Sequence, residues 1–76
     1  MYLSQKSAYI KLGQNLQKLR HERGLTQQCL SKKCEKVDRA KISDIENAKE
    51  DFMFSTLLNL CKGLEVSLYE VIKDVT

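Results

Sequence analysis

The 76-residue chain contains no proline and no tryptophan, and it has only three glycines and three cysteines. Without proline, no side chain removes a backbone N–H donor from the interior of a helix. Three cysteines cannot all pair within one chain, so a disulfide framework is not expected. No apolar run approaches the roughly 20 residues needed to span a bilayer, and no N-terminal stretch resembles a secretory signal. These absences predict a helical protein of the reducing cytoplasm.

Charge is distributed unevenly along the chain. Thirteen Lys and Arg residues oppose ten Asp and Glu residues, for a net charge of +3. Between Lys6 and Lys41 there are eleven basic residues, counting His21, and only three acidic ones. From Ser43 onward the acidic residues are in excess. This asymmetry is typical of a domain that turns one face toward phosphate groups.

The spacing of apolar residues predicts five helices and no strands. In the first helix, Tyr9, Leu12, Leu16 and Leu19 recur at intervals of three and four, as residues on one face of a helix do. Gly13 interrupts this stripe at a cost of roughly 1 kcal/mol relative to alanine, which indicates close approach of another helix.

Local signals predict where the helices begin and end. Thr26, Asp38 and Ser67 are expected N-caps, because their side-chain oxygens can accept from the first free backbone N–H groups of a helix. Gly24 is expected to end the first helix, and Gly63 the fourth, since glycine adopts the left-handed conformation common at these positions.

A chain of this length has room for one hydrophobic core. We expect residues 1–6 to form a flexible N-terminal arm and residues 7–76 to form a single domain. Such a small domain buries only about 60% of the surface that its unfolded chain exposes, so a second copy is the expected support. The last helix has more apolar residues than it can bury, and three of them are predicted to form a dimer interface: Leu68, Tyr69 and Ile72. A capping helix in a monomer is the alternative.

The stretch from Thr26 to Glu46 is predicted to form two short helices joined by a tight turn. The first runs from about Gln27 to Cys34, and the second from about 38 to 47. Ile42 and Ile45 lie on the inner side of the second helix, and polar residues lie on its outer side. A helix of this kind fits the major groove of DNA, which is wide enough to admit one helix.

Three segments together carry a family resemblance: LGQNLQKLRHERGLTQQCLS, KISDIENAK and FSTLLNLCKGLEVSLYEVI. With them, residues 12–72 resemble the helix-turn-helix domains of phage repressors, Cro proteins and restriction-modification controller proteins, the XRE-type regulators. The resemblance implies an all-α, compact five-helix bundle from a bacterium or phage. It also implies a homodimer that binds a short palindromic DNA operator and regulates transcription.

The resemblance assigns roles to individual residues. Arg20 and Glu46 match a structural salt bridge between the first and third helices. The positions that face base edges are Arg39, Ala40, Ser43 and Asp44. The positions that contact phosphate are Thr26, Gln27, Asn47 and Lys49. Lys41 lies near the base-facing residues on the third helix and is also predicted to reach a phosphate, with a solvated lysine as the alternative.

The base-facing residues have alternative roles. Ser43 can bond a base or the DNA backbone, and Ala40 either touches a thymine methyl group or serves only as a helix former. An arginine at the start of such a helix can pair bidentately with guanine, which is worth about 1–3 kcal/mol of discrimination, or it can meet only phosphate. Arg39 is expected to contact a base. Asp44 either accepts from cytosine N4 or braces Arg39 or Lys41.

The chain departs from the family pattern in three places. The turn CEKVD is one residue longer than the commonest form and lacks its glycine, which leaves the register of the recognition helix open by one residue. Ala48 replaces the usual glycine after that helix, and Phe52 replaces a proline in the next loop.

Motifs for catalysis or cofactor binding are absent from the sequence, so no enzyme, cofactor or metal is expected. Cys29, Cys34, Cys61 and His21 lack the close spacing of a zinc site. We expect Cys34 and Cys61 to fill the core and Cys29 to be a free thiol on the outer side of its helix. The alternative function is an antitoxin-like or adaptor module of the same fold, whose main partner is another protein.

Overall fold

The computed structural model describes residues 5–49 and 51–75, and these residues form five α-helices and no strands. The helices are α1 (Gln5–Glu22), α2 (Gln27–Lys33), α3 (Arg39–Glu46), α4 (Phe54–Leu64) and α5 (Leu68–Ile72). The prediction of an all-α five-helix bundle is confirmed. In this part of the chain, no helix has both the length and the apolar character to cross a lipid bilayer.

One hydrophobic core lies between the helices. Helix α3 packs against α1 and α2, while α4 packs against α2, and α5 packs against α1 and α4. The buried apolar side chains are Leu12, Leu16, Leu30, Val37, Ile42, Ile45, Leu57, Leu60, Cys61, Leu64 and Val71. Because two of them, Ile42 and Ile45, come from α3, the core holds the inner side of the predicted recognition helix.

The three predicted N-caps are confirmed. The Thr26 side chain accepts a hydrogen bond from a backbone N–H of α2 at 3.0 Å, and the Asp38 side chain accepts from one of α3 at 2.8 Å. Ser67 and Glu70 form a capping box at the start of α5. Since Asp38 is the cap, α3 begins at Arg39.

Helices α1, α3 and α4 end in the same hydrogen-bonding pattern, the Schellman motif. Its left-handed residue is Gly24 (φ +66°) after α1, Ala48 (φ +54°) after α3 and Glu65 (φ +60°) after α4. The N–H of the following residue reaches the carbonyl oxygen five residues earlier, at 3.1, 2.9 and 3.0 Å respectively. The prediction for Gly24 is therefore confirmed, while the other two motifs place an L-residue where glycine is favoured.

Gly13 and Gly63 are required for close packing between helices. A Cβ atom on Gly13 would lie 2.5 Å from the carbonyl oxygen of Ile45, so α1 and α3 touch here, as predicted. A Cβ atom on Gly63 would lie 2.6 Å from the Sγ atom of Cys34. The prediction that Gly63 ends α4 was wrong, because the helix continues to Leu64 and this glycine is buried against α2.

The start of α1 also differs from the prediction. Gln5 and Lys6, which were assigned to a flexible arm, lie in the first turn of α1. The remainder of that predicted arm lies outside the described residues.

Replacing Ala48 with glycine should raise the free energy of unfolding by about 0.5–1 kcal/mol. The left-handed conformation costs an L-residue roughly 1–2 kcal/mol, and the greater freedom of glycine in the unfolded chain offsets part of the gain. Ala40→Gly is the matched control, because Ala40 is exposed within α3. This substitution should lower the free energy of unfolding by about 0.5–1 kcal/mol. Urea unfolding followed by circular dichroism measures both, and the prediction fails if the two variants shift stability in the same direction.

Candidate nucleic-acid interface

The outer side of α3 presents an arc of four polar residues and one alanine, which we call the polar arc. Successive residues of an α-helix are about 100° apart, so the polar arc lies within roughly 140° of the helix circumference. Its members are Arg39, Ala40, Ser43, Asp44 and Asn47. Arg39, Ala40 and Asn47 are exposed, and the other two are half-buried. The structure thus brings together the four residues predicted to face base edges.

The long turn before α3 is accommodated without glycine. Cys34 caps the end of α2, Asp38 caps the start of α3, and Lys36 between them adopts the left-handed conformation at φ +59°. Val37 is buried in the core and anchors the turn. The extra residue therefore lies in the turn, and the helix keeps Arg39 as its first residue.

Behind the polar arc, a buried ion pair joins α1 to α3. The Nε atom of Arg20 lies 2.7 Å from Oε2 of Glu46, and these side chains are only 7% and 2% exposed. The guanidinium group also donates to the second carboxylate oxygen at 3.1 Å and to the carbonyl oxygen of Leu25 at 2.7 Å. Nearby, the Nε2 atom of Gln27 donates to Oε1 of Glu46 at 3.1 Å. Three helix ends therefore meet at one carboxylate.

The sequence does not predict the hydrogen bond between Gln27 and Glu46, and it assigns Gln27 only a phosphate contact. The two residues lie 19 positions apart, and neither residue type signals the other. Only the salt-bridge position of Glu46, which places it beside the start of α2, could have indicated this hydrogen bond.

The residues predicted to contact phosphate lie in two groups. Thr26 and Gln27 lie at the start of α2, where they border a shallow depression that also includes Arg39. Lys41 is half-buried on α3, and Lys49 is exposed just after it. Asn47 uses its side-chain Nδ2 to donate to the carbonyl oxygen of Ser43 at 2.8 Å, which helps to end α3. The first group therefore flanks the start of the polar arc, and the second lies along α3 and beyond its end.

The predicted dimer residues differ in exposure. Tyr69 is 70% exposed and Ile72 is 40% exposed, whereas Leu68 is half-buried against the core. Two strongly exposed apolar side chains were missed, Met53 at 71% and Phe54 at 60% exposed. They lie where α4 begins, and nothing in the residue types distinguishes them from the apolar residues that this helix buries.

The three cysteines are unpaired and occupy different environments. Cys29 is exposed, and a hydrogen bond with Thr26 lowers the pKa of its thiol. Burial raises the pKa of the Cys34 and Cys61 thiols. Cys34 also donates its thiol to the carbonyl oxygen of Asn59 at 3.6 Å. Among residues 5–49 and 51–75, no three His, Cys, Asp or Glu side chains gather as a metal site.

Comparisons with known proteins agree with this architecture. A family model described as a helix-turn-helix domain matches residues 11–71. The restriction-modification controller protein C.Esp1396I is 32% identical over 90% of this chain and 87% of its own, with a TM-score of 0.79. The controller protein C.AhdI from Aeromonas hydrophila is 27% identical over 83% of this chain and 94% of its own, with a TM-score of 0.77. A comparison with curated proteins found no match.

A similar solved structure was determined with DNA bound. It is the C.Esp1396I tetramer in complex with its natural 35 base-pair operator, at 32% identity over 90% of this chain and 88% of that one, with a TM-score of 0.79. The family model covers most of the chain, and the two controller proteins match 90% and 83% of it. The chain therefore belongs to the helix-turn-helix family of DNA-binding transcriptional regulators, in the XRE-type group that includes the restriction-modification controller proteins.

Proposed function

We propose that this helix-turn-helix regulator binds a short, roughly palindromic operator as a homodimer. Helix α3 enters the major groove, and the start of α2 lies against the phosphate backbone. The observation that carries this proposal is the polar arc of α3, which is presented on a helix held from behind by the core and by the Arg20–Glu46 pair. The operator complex of the similar controller protein supports it.

Arg39 is the residue that we propose for base readout of guanine. It is exposed at the first position of α3, and no other described residue forms an ion pair with it. The five N–H donors of its guanidinium group are therefore available for hydrogen bonds to the O6 and N7 atoms of guanine. Ala40, Ser43 and Asp44 complete the base-facing set, with Asp44 accepting from cytosine N4.

The backbone contacts frame this set on both sides. Thr26 and Gln27 bind phosphate at the start of α2, and Lys41, Asn47 and Lys49 bind it within and after α3. Because Gln27 already donates to Glu46, its phosphate contact would tie the DNA backbone to the end of α3 through one side chain.

The second copy of the chain docks through the exposed apolar side chains of α5. Tyr69 and Ile72 supply the self-complementary surface, and Leu68 supports it from the core side. Two recognition helices related by this two-fold axis then lie about one helical turn of DNA apart, ~34 Å.

We place the protein in the cytoplasm, where its DNA target is accessible, and assign it a binding function without catalysis. The family consists of DNA-binding regulators, and the polar arc is a recognition surface rather than a reaction centre.

Selection of bound sequences from a random duplex pool tests the proposal most directly. We expect the enriched sequences to share a palindrome with half-site centres ~34 Å apart, and the complex to contain two protomers per duplex by light scattering. Binding without any preferred sequence, which disappears at moderate salt, would instead favour the antitoxin-like or adaptor module.

A further inference from the structure

The start of α1 and the segment after α3 border one depression on the protein surface. This depression, which we call the α1–α3 cleft, is lined by Gln5, Lys6, Tyr9, Ala48, Lys49 and Asp51. None of these residues lines the depression at the start of α2 that includes Arg39. The cleft therefore flanks the recognition helix on the side where α3 ends.

Two lysines and one carboxylate line this cleft. Lys6 and Lys49 are both exposed, and neither forms an ion pair with another residue in the described part of the chain. Asp51, also exposed, is the carboxylate among the lining residues, so the lining carries a net positive charge. This charge balance favours the binding of an anion in the cleft.

One hydrogen bond and one ring contact support the residues on either side of the cleft. The N–H of Lys49 donates to the carbonyl oxygen of Asp44 at 2.9 Å, which attaches this lysine to the last turn of α3. The ring of Tyr9 packs edge-on against Phe52, with 5.4 Å between the ring centroids. Since Tyr9 is about one helical turn after Lys6, this ring contact holds the first turns of α1 beside the segment that carries Lys49.

We infer that Lys6 and Lys49 form one phosphate-binding site for the DNA backbone that borders the end of α3. This inference rests on the proposed function, and it adds the start of α1 to the DNA-binding surface. The ligand is a phosphodiester group of duplex DNA, which a lysine ammonium binds as a compact point charge. The contact carries no base information, so it strengthens binding to every sequence and fixes the tilt of α3 in the groove.

The salt dependence of DNA binding tests this site. Anisotropy titrations of Lys6→Gln should show a slope of log K against log[salt] that is smaller by about 0.9 for each phosphate group that the protein no longer neutralises. At 0.15 M salt this corresponds to roughly fivefold weaker binding per phosphate group, equally for the selected operator and a scrambled duplex. Lys73→Gln is the matched control: it removes the same charge from an exposed position just after α5 and should leave the slope unchanged. Asp51→Asn should strengthen binding to both duplexes.

A neutral backbone linkage locates the site on the DNA. A methylphosphonate replaces one charged phosphodiester linkage of the selected operator with a neutral one. At the linkage where this replacement weakens DNA binding by the wild-type protein, it should not weaken DNA binding by the Lys6→Gln variant any further. Circular dichroism shows whether each variant is folded. Suppose that the wild-type protein binds the operator. If the Lys6→Gln variant then has the same salt slope as the wild-type protein, or if it loses affinity for the operator alone, the site is refuted and the proposed function stands. If the wild-type protein shows no salt-dependent binding to DNA, both are refuted.

Discussion

Glu46→Ala should lower the free energy of unfolding by about 3–5 kcal/mol, because it leaves the buried guanidinium group of Arg20 without its counter-charge. A chain of 76 residues has a total stability of roughly 4–11 kcal/mol, so the variant should be partly unfolded at 37 °C. The substitution also removes the acceptor of the Gln27 amide, whose hydrogen bond ties α2 to α3. Urea unfolding monitored by circular dichroism gives the difference in free energy.

Two further variants separate the ion pair from general effects of removing a carboxylate. Glu22→Ala removes an exposed carboxylate at the end of α1 and should change stability by no more than about 0.5 kcal/mol. The double variant Arg20→Leu with Glu46→Leu should recover much of the stability, because no lone charge remains buried. Equal stability of the Glu46→Ala and Glu22→Ala variants would show that the pair contributes nothing.

Arg39→Ala should reduce discrimination between operator and scrambled duplex by about 1–3 kcal/mol for each half-site, and hence by twice that for the homodimer. The physical reason is the removal of a bidentate pair with guanine, which random DNA offers only by chance. Competition titrations of both duplexes at one salt concentration measure the effect. Base substitutions at the affected position should then cost the variant little, while they remain costly for the wild-type protein.

Lys49→Ala is the matched comparison for Arg39. Both substitutions remove one positive charge from the predicted interface. However, replacing a lysine that contacts only phosphate should lower the affinity for the operator and for the scrambled duplex by the same factor. The salt slope of this variant should fall by about 0.9 for each phosphate group left unneutralised. If the Arg39 variant also weakens both duplexes by the same factor, then Arg39 binds phosphate and the base readout lies elsewhere on the polar arc.

Features that depend on local sequence could be predicted. Thr26, Asp38 and Ser67 cap helices through bonds to residues three positions on, and Gly24 ends α1 through its own backbone conformation. The same locality explains why α3 was placed within one residue of its observed start. The five-helix architecture followed from apolar spacing and from the family resemblance together.

Several features that depend on distant residues could not be predicted. Gly63 has the residue type of a helix end. Its lack of a side chain instead allows α2, about thirty residues earlier in the sequence, to pack closely against α4. Ala48 and Glu65 adopt left-handed conformations although neither residue type signals it. The α1–α3 cleft combines residues more than forty positions apart, which no local pattern connects.

The carboxylate of Glu46 has a consequence for the thermodynamics of DNA binding. Its bonds to Arg20 and Gln27 hold the end of α3 in place before DNA arrives, and the Ile42 and Ile45 side chains hold its underside. The chain therefore loses the conformational entropy of this helix when it folds, and not when it binds its operator. We expect the heat-capacity change of binding to reflect only the surface that the protein and the DNA bury against each other, without a contribution from coupled folding.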